Sequence, residues 1–330
     1  MKISMKDVAQ KAGVSTATVS HVINKTRFVG AGTKKKVLEV MKELNYYPNF
    51  AARSLRIRKS NTIGLLVPDI SNFFFTSIAK GVENTLKRHG YHLILSNSNE
   101  NLENEIEQIK IYNTKLVDGL IMAPVSGDHA FLNELFRGHY PVVFIDRKPE
   151  GFQGDSILIN NINGAYDAIS VLIEKGHAKI GIITGLPGLT TTKERLIGYE
   201  KALINYGLKI NKNFIKVGNS RFESGYKLTK ELLEYTDITA LFVANNLMTI
   251  GAIKYLKEKR VAIPGAIAMI GFDDYKWSSI IEPPLSVIRQ PAYDIGEKAS
   301  TLLIKRIKKE EIGEYKEYRL PTKLIIRDSC

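Results

Sequence analysis

Residues 6–24 read KDVAQKAGVSTATVSHVIN, and this stretch decides the fold of the N-terminal segment. Its first part, Asp7–Ala12, predicts a short helix with the Asp7 carboxylate near the positive end of the helix dipole. Gly13 comes next, and a glycine ends a helix well because it adopts the left-handed conformation without a Cβ clash. The stretch therefore predicts a short helix that stops at a glycine turn.

Two further helices are predicted after this turn. Ser15 is the expected N-cap of the second helix, and the apolar side chains that share one of its faces are Val19, Val22 and Ile23. Its opposite face is small or polar and comprises Thr16, Ala17, Ser20 and His21. The third helix is predicted from about Thr33 to Leu44, with Val37, Met41 and Leu44 on its buried face. Together the three helices predict a helix-turn-helix, whose second helix can enter a DNA major groove.

The same segment carries most of the charge. The 330 residues contain 47 Lys and Arg against 34 Asp and Glu, a net charge of +13. Residues 1–60 hold thirteen of the basic residues and three of the acidic ones, so +10 belongs to them and +3 to the remaining 270. A compact basic module usually binds a polyanion, because each neutralised phosphate releases counterions. A lysine-rich solvated surface is the alternative, and charge alone does not distinguish DNA, RNA and membrane.

Composition limits the remaining classes of protein. The length suits two or three domains, and 44% hydrophobic with 25% charged residues is a globular balance. The single cysteine, Cys330, excludes an intrachain disulfide and a thiolate metal site, and it favours a reducing compartment. Neither a signal-peptide core nor an apolar run of about 18–20 residues is present, so we expect a cytoplasmic protein with no membrane partner.

Residues 49–55 form one more candidate helix, after Pro48 and before a polar stretch at 56–61. The alternative, a three-helix bundle that binds another protein, does not explain this segment, because the segment has no apolar core to cover. Short motifs along the segment resemble the lactose/galactose repressor family; they are Lys6-Asp7-Val8-Ala9, Gly13-Val14-Ser15, Ala17-Thr18-Val19-Ser20, Val22-Ile23-Asn24, Asn45-Tyr46-Tyr47-Pro48-Asn49 and Ala52-Arg53-Ser54-Leu55. The set is very specific, and the resemblance continues to the last strand.

The resemblance implies how the head binds DNA. It places Thr16, Ala17 and His21 against base edges. It assigns phosphate contacts to Ser4, Ser15, Thr18, Asn24 and Thr33. It makes residues 49–55 a hinge helix in the minor groove, where Leu55 is wedged between base steps. The remaining contacts implied for that helix come from Asn49, Ala52 and Arg53.

One position departs from the family pattern. The family usually has Arg where this chain has His21. Arg binds guanine bidentately and His cannot, so we expect the operator half-site to differ from the commonest pattern of the family.

Residues 61–330 alternate apolar strands with amphipathic helices. Strands are predicted at 63–67, 93–96, 119–122, 142–145, 180–184, 241–244 and 268–271. Helices are predicted near 77–89, 103–115, 164–175, 194–206, 224–234 and 249–259. Continuous apolar strands between helices are typical of parallel sheets covered on both faces. The α/β body is therefore predicted to contain two doubly wound parallel sheets.

These patterns and the resemblance together predict the domain organisation. The expected segments are a helix-turn-helix domain at 1–47, a hinge helix and linker at 48–60, and an effector-binding and dimerisation core at 61–330. The core resembles periplasmic sugar-binding proteins of bacteria, which have two lobes. We expect the first lobe at about 61–160 and 291–320, and the second at about 161–290 and 321–330.

Polar residues recur at the carboxyl ends of the predicted strands, where open α/β sheets bind ligands. Carboxylates, guanidinium groups and amides bind hydroxyl groups, while aromatic faces cover the apolar side of a sugar ring. Each residue also has a simpler explanation: an Asp at a strand end is more often a helix cap, a Phe triplet is more often core, and Arg195 can pair with Glu194 or Glu200. Their recurrence at the same end of six strands nevertheless favours a sugar site.

Within the family, this site most resembles the ribose-type pocket. The effector-binding residues that the resemblance implies are Asn72, Phe74, Phe75, Asp146, Arg147, Arg195, Phe222, Asn245, Asp273 and Gln290. Two positions depart from the family: Ser220 stands where the second lobe usually supplies an aromatic face, with Phe222 nearby as a substitute, and Asn245-Asn246 replaces the common Asn-Asp pair. A pentose or a related monosaccharide is favoured.

We therefore expect a repressor of carbohydrate-utilisation genes that binds double-stranded operator DNA and responds to a small sugar. An operator with two half-sites needs two DNA-binding domains, so we expect a homodimer. Two alternatives within the family stay open: a catabolite-control regulator governed by a phosphoprotein, and a purine-type repressor that needs a corepressor.

Proteins of other classes are disfavoured. An enzyme would use Asp146 and Asp273 as acid and base, but no nucleophile–base pair, phosphate-binding glycine loop or metal-ligand cluster supports this. We expect no catalytic residue, no metal and no cofactor. A transport-type binding protein conflicts with the basic head and with the missing signal peptide.

Overall fold

The computed structural model describes residues 3–24, 26–46, 59–114, 116–126, 132, 136, 140–152 and 154–330. The chain divides into two units, Met1–Ser60 and Asn61–Cys330. The predicted hinge residues Asn49, Ala52, Arg53 and Leu55 lie outside the described residues.

The described part of the first unit contains three helices, α1 (Met5–Ala12), α2 (Thr16–Asn24) and α3 (Ala31–Glu43). Ser4 is the N-cap of α1, and Asp7 completes a capping box, in which the Ser4 backbone N–H donates to Asp7 Oδ2 at 2.8 Å. Gly13 ends the helix in the left-handed conformation, with φ 63°. The predicted helix–glycine turn–helix arrangement is confirmed.

The three helices enclose one small apolar core. Its buried members are Val8, Ala9, Ala12, Val19, Val22, Val37 and Val40. Ile23, Met41 and Leu44, which the sequence places on apolar faces, are only partly buried against it. On α3, the side chains that face the other two helices are Val37 and Val40. Val40 is therefore buried in the core where the sequence pattern predicts Met41.

The first sheet of the second unit has six strands, all parallel. Their spatial order is β2 (His92–Asn97), β1 (Thr62–Val67), β3 (Gly119–Met122), β4 (Val142–Ile145), β5 (Asp155–Ile159) and β11 (Glu317–Leu320). Among the described residues, the helices that pack against this sheet are α4 (Phe73–Arg88), α5 (Leu102–Asn113) and α10 (Ala292–Ile307).

The second sheet also has six strands. Their spatial order is β7 (Ile215–Val217), β6 (Ile180–Thr184), β8 (Ala240–Val243), β9 (Ala268–Phe272), β10 (Ser286–Arg289) and β12 (Lys323–Ile325). Its helices are α6 (Asn161–Glu174), α7 (Thr190–Asn205), α8 (Phe222–Tyr235) and α9 (Asn246–Glu258). All pairs are parallel except β10–β12, which is antiparallel. The predicted fold class is confirmed, with this one antiparallel edge strand as a difference.

Each lobe is built around one of these sheets. Along the described strands the chain passes from one sheet to the other three times, after β5, after β10 and after β11. Only Pro321 and Thr322 separate β11 from β12, so this last connection is short. The chain therefore joins the two lobes at three places, and the carboxyl ends of the central strands of both sheets line one cleft.

All six helices predicted for residues 61–330 begin one to four residues earlier in the structure, and the caps of two of them show why. Helix α4 begins at Phe73 instead of 77, because Asn72 Oδ1 accepts from the Phe74 N–H at 3.0 Å and caps the first turn. Helix α9 begins at Asn246 instead of 249, because Asn245 Oδ1 accepts from the Met248 N–H at 3.1 Å. Both caps stand at strand ends, so these helix starts lie at the mouth of the cleft.

Helix α4 packs closely on α10 through small residues. A Cβ added at Gly296 would lie 2.2 Å from the Ile78 carbonyl oxygen, and one added at Gly81 would lie 2.2 Å from the Tyr293 carbonyl oxygen. The two backbones therefore approach too closely for any side chain at these positions. Within the described residues, no helix is long and apolar enough to cross a membrane.

Candidate functional site

The outward face of α2 carries the residues predicted to read base edges. Thr16 and Ala17 are exposed, while His21 is half-buried one turn further along the helix. The His21 imidazole is oriented by Thr26, whose Oγ1 lies 2.8 Å from Nδ1. Val19 and Val22 occupy the opposite, buried face. The base-reading role of the outward face remains a prediction.

Most of the residues predicted to hold phosphates are already engaged in short-range hydrogen bonds. The Ser4 hydroxyl donates to Asp7 Oδ2 at 2.6 Å. Ser15 Oγ accepts from the Thr18 N–H at 3.1 Å, and the two hydroxyl oxygens lie 2.9 Å apart. Asn24 Nδ2 donates to Ser20 Oγ at 3.0 Å, and Thr33 is half-buried in the first turn of α3. The bonds of Ser4 and Ser15 fix the starts of α1 and α2, and phosphate contact by all five residues stays a prediction.

A cavity of about 370 Å³ lies in the cleft between the two lobes. All ten side chains predicted to bind an effector line it: Asn72, Phe74, Phe75, Asp146, Arg147, Arg195, Phe222, Asn245, Asp273 and Gln290. They come from strand ends and helix starts of both lobes. The structure thus brings together every residue of the predicted set, while their role in binding remains a prediction.

The start of α4 forms an aromatic wall in the first lobe. Phe74 and Phe75 are both buried, and their rings meet edge to face with centroids 5.0 Å apart. Asn72 is buried beside them as the helix cap. An aromatic wall next to an amide can contact the apolar face and a hydroxyl group of the same ring.

A second group of the first lobe lies at the end of β4. Asp146 has φ 62°, a left-handed conformation that few residues other than Gly, Asn and Asp adopt and that recurs at functional sites. Arg147 donates to both carboxylate oxygens of Glu100, at 2.9 and 2.8 Å, and its Nε lies 3.3 Å from Asp146 Oδ2. Burial raises the pKa of Asp146, with Arg147 and Arg195 opposing the change. Burial alone would lower the pKa of Arg147, but its hydrogen bonds and its attraction to Glu100 outweigh burial and raise it.

Arg195 brings a buried guanidinium from the second lobe. Its Nε donates to Asn161 Oδ1 at 2.8 Å, its Nη1 donates to the Ala244 carbonyl at 2.8 Å, and its plane lies 3.6 Å from the centroid of Phe272. The alternative of an ion pair with Glu194 is wrong, since Glu194 pairs with Arg319 at 2.7 Å. Burial lowers the pKa of Arg195, and the charges of Asp146 and Asp273 oppose this.

Asp273 and Gln290 form the opposite wall of the second lobe. Gln290 Nε2 donates to Asp273 Oδ1 at 2.6 Å, and Asp273 has φ 72°. Burial raises the pKa of Asp273 to about 6, although Arg195 and this hydrogen bond favour the charged form. Gln290 Oε1 is buried and has no hydrogen-bond partner among the described residues. A buried acceptor of this kind requires a donor, such as a ligand hydroxyl.

The sequence reasoning missed three residues that organise this site. The Asn246 amide nitrogen lies within hydrogen-bond distance of Asn72, Asp273 and Tyr275, and so joins the two lobes. Glu100 holds Arg147. Tyr275 follows Asp273 in a loop that has no helix or strand pattern, and the sequence indicates Asn246 only as half of an Asn-Asn pair. Their partners belong to distant parts of the chain, so no local pattern indicates them.

The charges around the cavity include both signs. The acidic lining residues are Asp69, Glu100, Asp146, Glu223 and Asp273, and the basic ones are Arg147, Arg195 and Arg221. Five carboxylates against three guanidinium groups give the described part of the lining a formal charge of −2. Phe222 is half-buried at the start of α8 and lines the cavity next to Ser220. The cavity can therefore hold a polar ring through paired charges, amides and aromatic faces.

A helix-turn-helix head and a two-lobed core with a polar cavity define a DNA-binding transcriptional regulator with a ligand-binding domain. Residues 4–49 match the bacterial regulatory proteins of the lacI family. Residues 169–330 match the periplasmic binding protein-like domain. The chain belongs to the lacI family of bacterial regulatory proteins; it is a DNA-binding transcriptional repressor and not an enzyme.

Relatives and solved structures match most or all of the chain. The HTH-type transcriptional repressor PurR of Photobacterium profundum is 38% identical over 328 residues, which cover 99% of this chain and 98% of the relative. The Lac repressor dimer bound to operator and the anti-inducer ONPF matches with a TM-score of 0.88 at 27% identity, covering 100% of this chain and 99% of that one. A LacI family regulator from Enterococcus faecium with bound ribose matches with a TM-score of 0.72 at 30% identity, covering 81% and 98%.

Proposed function

We propose that this repressor binds a small uncharged sugar, of the pentose or ribose type, in the cavity between its lobes, and that the sugar changes its affinity for operator DNA. The observation that carries the proposal is the convergence of the ten predicted residues on one cavity of about 370 Å³. That volume lies near the lower end of the range of about 300–1,000 Å³ that is usual for ligand pockets, which suits a monosaccharide.

The polar groups of the cavity suit a ligand with several hydroxyl groups. Asp146 and Asp273 offer acceptors, Arg147 and Arg195 offer donors, and the buried Gln290 Oε1 requires a donor. A hydroxyl group both donates and accepts, so one ring with several hydroxyls satisfies this mixture. The Phe74 and Phe75 rings supply an apolar surface for the ring face.

The charge of the lining supports an unphosphorylated sugar. A phosphate would enter a lining with a formal charge of −2. Two of its three guanidinium groups already have partners: Arg147 pairs with Glu100, and Arg195 donates to Asn161 and Ala244. A phosphate would therefore displace existing contacts before it gained new ones. The ribose held by the Enterococcus faecium regulator gives independent support for a pentose.

Because a PurR repressor is among the relatives, a purine-type corepressor is the second candidate ligand of the cavity. A purine base needs amide or carboxylate partners along its edges and an aromatic face, and Asn72, Asp273 and Phe74 could provide these. A catabolite-control regulator governed by a phosphoprotein remains the third. Ligand binding separates the three, because only the first predicts direct sugar affinity without a protein partner.

Coupling between sugar and operator would operate through the relative arrangement of the two lobes in a homodimer. The sugar contacts side chains of both lobes, so it favours one arrangement over another. Two heads of one dimer then bind the two half-sites with an affinity that depends on this arrangement. By linkage, operator DNA must change the sugar affinity by the same factor.

Isothermal titration calorimetry tests the proposal with ribose, other pentoses, hexoses, ribose 5-phosphate and purine bases. We expect binding of a neutral pentose, and we expect Arg195→Ala and Asp273→Ala to abolish it. Asp237→Ala is the matched control, because Asp237 is exposed and contacts only Lys179 among the ion pairs formed by the described residues. Tight binding of a purine base alone, or wild-type sugar affinity in both cavity variants, would refute the sugar site.

A further inference from the structure

We propose that Thr26 is a positioning residue for operator recognition, because its hydroxyl holds the His21 imidazole in one orientation for reading a base. The inference does not use the sugar site; it rests on the DNA-binding function of the family and on the predicted base contact of His21. Thr26 Oγ1 lies 2.8 Å from His21 Nδ1, and this bond joins the last turn of α2 to the segment that leads into α3. Thr26 lies outside the motifs through which the N-terminal segment resembles the family.

The chain on either side of this bond is anchored in the core of the first unit. Val22, the residue after His21, is buried in that core, and Val29, three residues after Thr26, is partly buried against it. Gly30 follows as the N-cap of α3. Thr26 itself is exposed, so the packing of the core does not depend on its side chain. The Thr26 hydroxyl can therefore be removed without emptying space in the core.

The bond fixes one of two orientations of the imidazole ring. The χ2 torsion of histidine is broad and roughly two-fold, and a half-turn exchanges Nδ1 with Cδ2 and Nε2 with Cε1. Only the orientation that directs Nδ1 toward Thr26 makes the 2.8 Å bond, so the bond determines the side of the ring on which Nε2 lies. Among the hydrogen bonds of the described residues, His21 forms none through Nε2. This second nitrogen is therefore the one left for a base.

The orientation does not depend on which ring nitrogen carries the hydrogen. A hydroxyl group can donate to a bare Nδ1 and can accept from a protonated one, so Thr26 can bond the ring in either case. A valine at this position keeps the shape of the side chain but does neither. Thr26→Val therefore removes the bond from every proton state of His21 at once.

A fixed Nε2 discriminates among bases better than a ring that turns. A single ring nitrogen makes one hydrogen bond in the major groove, so its selectivity depends on where it lies relative to the base edge. A ring that turns presents either a nitrogen or a carbon to that edge and tolerates more bases. Ordering the ring before binding also removes an entropic cost of association. Loss of the Thr26 hydroxyl should therefore reduce selectivity at the base pair that His21 reads.

The test measures DNA binding of the full chain by fluorescence anisotropy. The probes are a duplex that the wild-type protein selects from a random library and all single-base-pair variants of that duplex. His21→Ala identifies the base pair that His21 reads, because substituting this pair no longer changes its affinity. We expect Thr26→Val to bind the selected duplex about three- to tenfold more weakly than the wild type. The penalty for substituting that base pair should shrink by the same factor, and the penalties at the other base pairs should stay unchanged.

Three further variants separate a positioning role from a general loss of stability. Thr26→Val should have no additional effect when His21→Ala is already present, since Thr26 acts through the imidazole. Thr26→Ser restores the hydroxyl and should restore the wild-type base preference. Thr301→Val is the matched control, because Thr301 is exposed in the other unit and its Oγ1 donates to the Glu297 carbonyl at 2.8 Å. It should bind every duplex as the wild type does.

Each other outcome overturns the inference. These outcomes are an unchanged penalty at that base pair in Thr26→Val, a reduction shared by all base pairs, an effect of Thr26→Val that persists without His21, and a His21→Ala variant that keeps every penalty. If Thr26→Val does not fold, Thr26→Ala replaces it with the same expectations. None of these titrations contains a sugar, so a failure of the proposed sugar site leaves their result unchanged.

Discussion

We expect the buried Asp273 carboxylate to reduce the stability of the folded protein at neutral pH. It is 7% exposed, and burial raises its pKa to about 6 from the ordinary value of 3.8. A raised acid pKa means that the folded state holds its proton at a pH where the unfolded state has released it. Stability is therefore greatest below the unfolded pKa and falls as pH rises from about 4 to about 6.

The pKa shift sets the size of the effect. Two pKa units correspond to about 3 kcal/mol, of which about 2 kcal/mol falls between pH 4.5 and 7. Asp273→Asn removes the titrating group and keeps the shape. The amide nitrogen that Asp273→Asn introduces would face the N–H donor of either Gln290 or Asn246, which costs stability. This cost does not depend on pH, so it does not change how the stability difference varies with pH.

Urea unfolding of wild type and Asp273→Asn, followed by the fluorescence of the single tryptophan, Trp277, measures this difference. The free energy of unfolding of the wild type minus that of the variant should fall by about 2 kcal/mol between pH 4.5 and 7. Asp237→Asn serves as the surface control. A difference that stays constant over this range, or that rises, would show that Asp273 is not destabilised by burial.

Two more variants test the fold and the DNA contact. Gly296→Ala should lower the free energy of unfolding by about 1–3 kcal/mol, because its Cβ would lie 2.2 Å from the Ile78 carbonyl oxygen. Gly265→Ala is the control, since its nearest neighbour would be 3.6 Å away; equal urea midpoints for the two variants would contradict the close packing of α4 on α10. Leu55→Ala should weaken binding to a selected operator at least about tenfold more than binding to random duplex, because only the specific complex gains from a kinked step. Equal losses in anisotropy titrations would argue against a wedge at this position.

Much of the fold follows from local sequence patterns. Continuous apolar runs indicate β3, β4 and β6 with the bounds that the structure has, because strands buried on both faces contain few polar residues. The strands β7 and β12 have three residues each and β11 has four. None of the three is fully buried, so each contains polar residues and lacks the continuous apolar run that indicates a strand. The antiparallel pairing of β12 depends on the short return from β11, which no periodicity encodes.

The candidate site likewise has one part that local sequence patterns indicate and another part that they do not. Strand ends and family motifs indicate the ten cavity residues, since the carboxyl ends of parallel strands meet at one edge. The bonds that orient these residues come from elsewhere: Glu100 holds Arg147 from 47 positions away, and Asn246 meets Asn72 from 174 positions away. Tertiary structure alone makes such pairs, so a single sequence does not indicate them.

The central claim is that a small sugar and operator DNA bind to this repressor in a coupled way. The most direct measurement titrates ribose into the protein with and without a saturating selected operator duplex, and titrates the duplex with and without ribose. We expect ribose to change operator affinity by a factor of about 5–150, and the operator to change ribose affinity by the same factor. Ribose and operator that bind with affinities independent of each other would contradict it.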